Sequence, residues 1–197
     1  MQQLTTADLE RGVEDVRRAP PDLGRVEMIV RRPAVDEREV LTEAELDLTV
    51  GLSGDTWHQR GSSRTPDGTA SPDAQVTVMS SRSAELIACD RDRWPLAGDQ
   101  LFVDLDLGGA NLPPGTRLAL GTAVLEVSAH PHTGCKKFAA RFGQDAARFV
   151  NSPVGRELNL RGINTRVVVP GSIRVGDTVR KEPSPANVDR QARERQQ

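Results

Sequence analysis

Reactive side chains are most concentrated in the run His130-Pro131-His132-Thr133-Gly134-Cys135-Lys136-Lys137, which holds two of the three histidines and one of the two cysteines. A strand-like pattern ends there and a helical one begins. A thiol at a helix start meets exposed N–H groups and the positive end of the helix dipole, and Lys136 and Lys137 add cationic charge, so the position favours the thiolate. The thiolate is the form that attacks sulfur, accepts a persulfide or binds a soft metal. Gly134 removes a side chain beside the sulfur. The competing reading of Cys135 is a small buried apolar residue. His130 and His132 stand two apart, so on a strand they share a face, and with Cys135 they supply three of the ligands a zinc site needs. No fourth ligand is evident nearby, and a histidine that hydrogen-bonds or relays protons near the thiol is the more economical role.

Basic residues gather around this cysteine: Lys136, Lys137, Arg141, Arg161 and Arg166. Arg161 precedes Gly162, which puts a forked donor beside a permissive backbone, and such groups suit a phosphate or another compact anion. Lys136, Arg141 and Arg161 are expected to converge on one mouth beside the sulfur. Taken singly, each is equally an ordinary solvated charge. Cys89 follows Leu86-Ile87-Ala88 and reads as a helix core residue. The stretch Trp57-His58-Gln59-Arg60 either anchors its loop through the tryptophan or contacts a ligand.

The elements that must position these residues follow from patterning. Thr5 and Asp8 resemble an N-cap and first-turn acid, with Leu9, Val13 and Val16 at helical spacing until Pro20-Pro21. Val26, Met28 and Val30 alternate with Arg25, Glu27 and Arg31 as in a half-buried strand. Thr42 and Glu45 have capping-box spacing and predict a short helix over 42–47, ahead of a turn at Gly51-Leu52-Ser53-Gly54-Asp55. Residues 57–73 read as a long exposed loop. A strand at 75–79 and a helix over 81–91 come next. From Gln100 onward short strands (LFVDLDL, RLALG, TAVLEVSAH) are separated by Gly108-Gly109 and Pro113-Pro114-Gly115, the signature of an antiparallel sheet rolled into a barrel. Residues 136–151 are helical, broken at Gly143 into two short helices or one kinked helix. Residues 163–169 and 172–179 read as two closing strands, and 182–197 as a disordered polar tail.

Composition bounds the rest. With 37% hydrophobic and 27% charged residues the chain of 197 residues suits one globular domain. A net charge near −2 leaves no overall field toward nucleic acid or an anionic membrane. The N-terminus lacks the apolar core of a signal peptide, and no stretch approaches the ~20 apolar residues of a membrane span, so a cytoplasmic protein is expected. Two cysteines are too few for a disulfide framework.

Taken in order, His132-Thr133-Gly134-Cys135-Lys136-Lys137-Phe138, Arg141-Phe142-Gly143, Leu160-Arg161-Gly162-Ile163 and Pro170-Gly171-Ser172-Ile173-Arg174-Val175-Gly176-Asp177 resemble the MOSC domain. That domain forms the C-terminus of molybdenum-cofactor sulfurases and also occurs as small free-standing bacterial proteins. Gly51-Leu52-Ser53-Gly54-Asp55 resembles its glycine and aspartate turn, and residues 121–127 its strand before the cysteine. The resemblance covers residues 24–181, with 1–23 as a helical lead-in. It implies a mainly β fold, an antiparallel β-barrel with a few short helices, and carries the family's signature cysteine onto Cys135.

Three functions stay open under the resemblance. In the first, Cys135 is a persulfide carrier that takes sulfur from a cysteine desulfurase, needs no pyridoxal phosphate of its own, and delivers to the molybdenum cofactor, its enzyme acceptor or a metal–sulfur cluster. In the second, Cys135 is a molybdenum ligand in a cofactor-dependent reductase of N-hydroxylated compounds, with Gly134, Lys136, Lys137, Arg141 and Arg161 around the cofactor and His130 and His132 assisting catalysis. In the third, the barrel is a non-catalytic module that docks a partner or an anion. The sequence lacks the added N-terminal barrel and the ferredoxin-like region of the known reductases, so electrons would come from elsewhere.

Overall fold

A computed structural model describes residues 4–62 and 65–182. The expected tail lies outside the described residues except for Glu182.

The chain opens with helix α1 (Thr6–Arg17), started by a full capping box in which Thr5 accepts from the Asp8 backbone N–H and the Asp8 carboxylate accepts from that of Thr5. Strands β1 (Leu23–Arg31), β2 (Glu39–Leu41), β3 (Glu43–Asp47), β4 (Gly51–Leu52) and β5 (Val76–Ser80) follow, then α2 (Ser81–Ala88) and β6 (Leu101–Asp104). Next come β7 (Arg117–Leu120), β8 (Ala123–Val127), the helices α3 (Lys136–Phe142), α4 (Gln144–Val150) and α5 (Pro153–Glu157), and β9 (Ile163–Val169), β10 (Gly171–Arg174) and β11 (Thr178–Glu182). Three 3-10 helices, Trp57–Gln59, Pro72–Ala74 and Arg91–Ala97, punctuate the loops.

Seven strands close a barrel in the order β11-β7-β8-β9-β5-β6-β1, with β1 pairing back onto β11 and β2 added outside β1. The barrel is mixed, which corrects the purely antiparallel expectation. β5 and β6 run parallel, with Val78 opposite Leu101. The cause is the connection between them: α2 and the Arg91–Ala97 helix form a crossover, and a parallel pair requires one. A small sheet, β10-β3-β4, flanks the barrel.

Two cores result. Val26, Ile29, Val78, Leu101 and Val103 face the barrel interior, whereas Met28, Val30, Met79 and Phe102 pack outward beneath the helices, against Leu9, Ile87, Phe138, Phe142 and Phe149. Strands β1, β5 and β6 are therefore covered on both faces, which for β5 and β6 is usual of a parallel pair.

Two further expectations are corrected. Residues 43–47 form strand β3, not a helix, because Ala44 and Leu46 alternate at period two and pair with Ile173 and Gly171 of β10. The predicted closing strand 172–179 is two strands, split by a turn at Val175–Asp177 in which Arg174 N–H donates to Asp177 Oδ2 at 2.8 Å. Gly143, at φ 97°, does break the 136–151 helix in two.

Candidate functional site

Cys135 is the N-cap residue of α3, and its side chain makes no capping bond. It is exposed, so it is not the buried apolar residue of the competing reading. The sulfur lines an open groove of about 770 Å³ between α3 and α4, together with Gly134, Lys136, Gln144, Arg148 and Asn151.

The loop carrying the thiol is tied to α4 by one side chain. Asn151 Oδ1 accepts from Gly134 N–H at 3.1 Å, and Asn151 Nδ2 donates to Gly134 O at 3.1 Å and to Ala147 O at 2.9 Å. A Cβ at Gly134 would lie 2.9 Å from Val150 Cγ2 and 3.0 Å from Asn151 Nδ2. Gly134 thus lets the cysteine loop dock closely on α4, a role different from clearing space beside the sulfur.

The structure does not gather every expected residue at this groove. His130 and His132 line a separate cavity of about 200 Å³ with Asn159, Gly162 and Asn164, and Asn164 Nδ2 donates to His130 O at 3.0 Å. Among the described residues no three His, Cys, Asp or Glu side chains are arranged to hold a metal, so His130, His132 and Cys135 do not form a zinc site. His132 Nδ1 lies 3.4 Å from Oδ1 of the fully buried Asp99.

Asp99 also binds Arg161, whose Nη1 donates to Oδ2 at 2.5 Å while Nη2 donates to Ala97 O at 2.8 Å. The Arg161 guanidinium stacks 5.0 Å from the Phe138 ring and is buried. Arg141 donates to Leu96 O at 2.9 Å and to Asp36 at 3.1 Å, and Lys137 Nζ lies 3.7 Å from Asp36. Arg166 pairs with Glu126 on the neighbouring strand. The expected convergence of Lys136, Arg141 and Arg161 therefore fails: Lys136 shares the groove with the thiol, whereas Arg141 and Arg161 meet on the carbonyls at the end of the Arg91–Ala97 helix. Lys137 lies with Arg141. The physical reason for Arg161 is its carboxylate partner, distant in sequence, which neutralises it in the interior.

Sequence reasoning missed Gln144, Arg148 and Asn151. Their spacing along α4 and its C-cap places them on one helical face, the signal that marks them. Cys89 is also corrected. It caps α2 in the left-handed region, at φ 56°, and is exposed.

These features agree with comparisons to known proteins. Solved structures of the same fold include the YuaD protein of Bacillus subtilis, at 18% identity and TM-score 0.57, covering 81% of this chain and 95% of that one. YiiM of Escherichia coli aligns at 20% identity and TM-score 0.53, covering 81% of this chain and 70% of that one. YiiM of Geobacillus stearothermophilus aligns at 16% identity and TM-score 0.52, covering 81% and 75%. No curated protein sequence matches. Among the described residues no helix is long and apolar enough to cross a membrane. The MOSC domain profile matches residues 65–180, more than half of the sequence and inclusive of Cys135, and the chain belongs to the MOSC domain family.

Proposed function

We propose that this protein carries sulfane sulfur on Cys135. The observation that supports the reading is an exposed, uncapped thiol in an open groove, while the arginine expected to cradle a cofactor phosphate, Arg161, is buried against Asp99. Transfer balances without an external redox agent. The Cys135 thiolate attacks the outer sulfur of a donor persulfide, the new S–S bond forms as the donor's breaks, and the donor leaves as a thiolate. A cysteine desulfurase is the donor class this requires. An acceptor thiolate then attacks the outer sulfur, its new S–S bond forms as that on Cys135 breaks, and Cys135 returns to the thiolate.

The residues around the thiol assist by position. Asn151 fixes the Gly134 peptide and hence the start of α3. Lys136 and Arg148 border the groove and place positive charge beside an attacking or departing thiolate.

MOSC domains are associated with the molybdenum cofactor, and the groove fits that group in two respects: Cys135 is a soft donor suited to molybdenum, and the volume admits a pterin-sized molecule. Cys135 would hold the metal, with Lys136 and Arg148 facing the phosphate. Bound there, the group would supply two-electron redox chemistry, which is the reductase reading.

Purification from a cofactor-competent host, followed by assay of molybdenum and cyanide-labile sulfur, separates the two. Labile sulfur without metal is the expected result. Molybdenum near one per chain would replace the carrier reading with the reductase.

A further inference from the structure

No carboxylate lines the groove that holds the Cys135 sulfur. Its charged lining residues are Lys136 and Arg148, and its side-chain amides are Gln144 and Asn151. These groups are not equally available. Asn151 is fully committed, since Oδ1 accepts from Gly134 N–H and Nδ2 donates to the carbonyls of Gly134 and Ala147. The side chains of Lys136 and Gln144 make no hydrogen bond or ion pair among the described residues. Arg148 gives Nη1 to Asp145, three residues back on the same helix, at 3.2 Å, and its Nε and Nη2 donate to nothing among the described residues. A third cation adjoins the groove: Arg156 Nε donates to the Asn151 carbonyl at 3.0 Å, with no carboxylate in ion-pair distance among the described residues.

Three cations therefore share one exposed carboxylate, Asp145, on a chain whose net charge is −2. The positive character belongs to the groove and not to the chain as a whole. Ala139 of α3 and Ala147 of α4 are small and leave the space between the helices open, and its volume of about 770 Å³ is that of a small-molecule site. Gln144 and Arg148 stand four apart on α4, so their side chains are neighbours on one face. An uncommitted amide beside an uncommitted guanidinium complements a peptide group next to a carboxylate: the amide both donates and accepts, and the guanidinium takes the carboxylate through charge-assisted bonds.

We infer that the groove takes a low-molecular-weight thiol of peptide character as the sulfur acceptor, its carboxylates bound by Arg148 and Lys136 and a peptide group by Gln144. The acceptor role rests on the carrier reading of Cys135, whereas the binding site is built from other side chains. The acceptor thiolate attacks the outer sulfur of the Cys135 persulfide, its S–S bond forms as that to Cys135 breaks, and it leaves as a persulfide. Cys135 is regained as the thiolate, and no oxidant or reductant enters.

S-methylglutathione, whose blocked sulfur cannot react, tests the site apart from the transfer. Amide NMR titration of the full chain, at ionic strength held constant with chloride, should show saturable shifts confined to the α3–α4 groove. The dimethyl ester of the same molecule should bind about tenfold more weakly and Arg148→Gln should weaken binding about threefold, as for two and one exposed ion pairs. The Arg148 side chain is 75% exposed, so this variant should fold normally. On Cys135 preloaded with sulfur by a desulfurase, discharge to glutathione should outpace discharge to 2-mercaptoethanol at equal thiolate concentration, and Arg148→Gln should narrow that ratio about threefold. Absence of saturable shifts, shifts centred elsewhere, or equal affinity for the ester would overturn the site whatever Cys135 carries. Equal discharge to the two thiols would overturn the acceptor assignment. Failure of Cys135 to load sulfur, with S-methylglutathione still bound in the groove, would instead overturn the carrier reading and the acceptor role with it, leaving a site for carboxylate-bearing peptides.

Discussion

Asp99→Ala should be among the most damaging single substitutions in this protein. The Asp99 carboxylate is fully buried, and the Arg161 side chain it pairs with is only 6% exposed. Removing one partner of such a pair strands the other charge in the interior, which costs about 3–5 kcal/mol. Arg161 keeps Ala97 O and the Phe138 ring, neither of which neutralises it. At roughly 2–4 °C per kcal/mol for a chain of this size, the thermal midpoint should fall by roughly 6–20 °C. A double variant, Asp99→Leu with Arg161→Met, removes both charges and leaves mainly the Ala97 carbonyl short of a donor, about 1–3 kcal/mol. It should therefore be more stable than the sum of its parts by about 2 kcal/mol or more. Urea unfolding of the wild type, both singles and the double gives the cycle. A loss below about 1 kcal/mol in Asp99→Ala, or strict additivity, would refute the buried-pair reasoning. An exposed, anion-binding Arg161 predicts the opposite, little change in folding on truncation.

Gly134→Ala should destabilise by about 1–3 kcal/mol through contact with Val150 and Asn151, and urea unfolding reads it directly. Cys135→Ser should change stability by less than about 0.5 kcal/mol because the thiol is exposed and caps nothing; a core-sized loss would make the cysteine structural. Glu126 should titrate below its ordinary 4.5: burial alone would raise it, but Arg166 and then Arg117 outweigh burial and lower it. A depressed folded pKa means this contribution to stability is fully present above 4.5 and is lost as pH falls through the folded value. Carboxyl NMR titration would show the low midpoint, and Glu126→Gln should flatten the acid limb of the stability profile.

What was legible in the sequence was local. The Thr5 and Asp8 box gives α1, Gly143 divides the helical run after the cysteine, and alternation gives β1, β7 and β8. The cysteine loop was recognisable because its reactive residues are consecutive. The failures are those of pairing. Thr42 and Glu45 satisfy a helix-start pattern, yet the partner strand β10, far along the chain, draws Ala44 and Leu46 into a sheet. The parallel β5–β6 pair was implicit in a strand-helix-strand order, but orientation is set by the crossover and not by either strand's own pattern. Arg161 reads as a free fork beside Gly162, and nothing near it announces Asp99 as its neutralising partner. Cys89 follows an apolar run, but the helix ends on it and turns it outward.

Sulfur carriage on Cys135 can be read by loading the protein with cysteine and a cysteine desulfurase, then mapping added sulfur by mass spectrometry on the peptides containing Cys135 and Cys89. Both thiols are exposed, so exposure alone gives neither an advantage. Cys135 should gain one sulfur atom, released by cyanide, absent in Cys135→Ser and retained in Cys89→Ser. Equal loading of the two cysteines, or none on Cys135 in the folded protein, would contradict it.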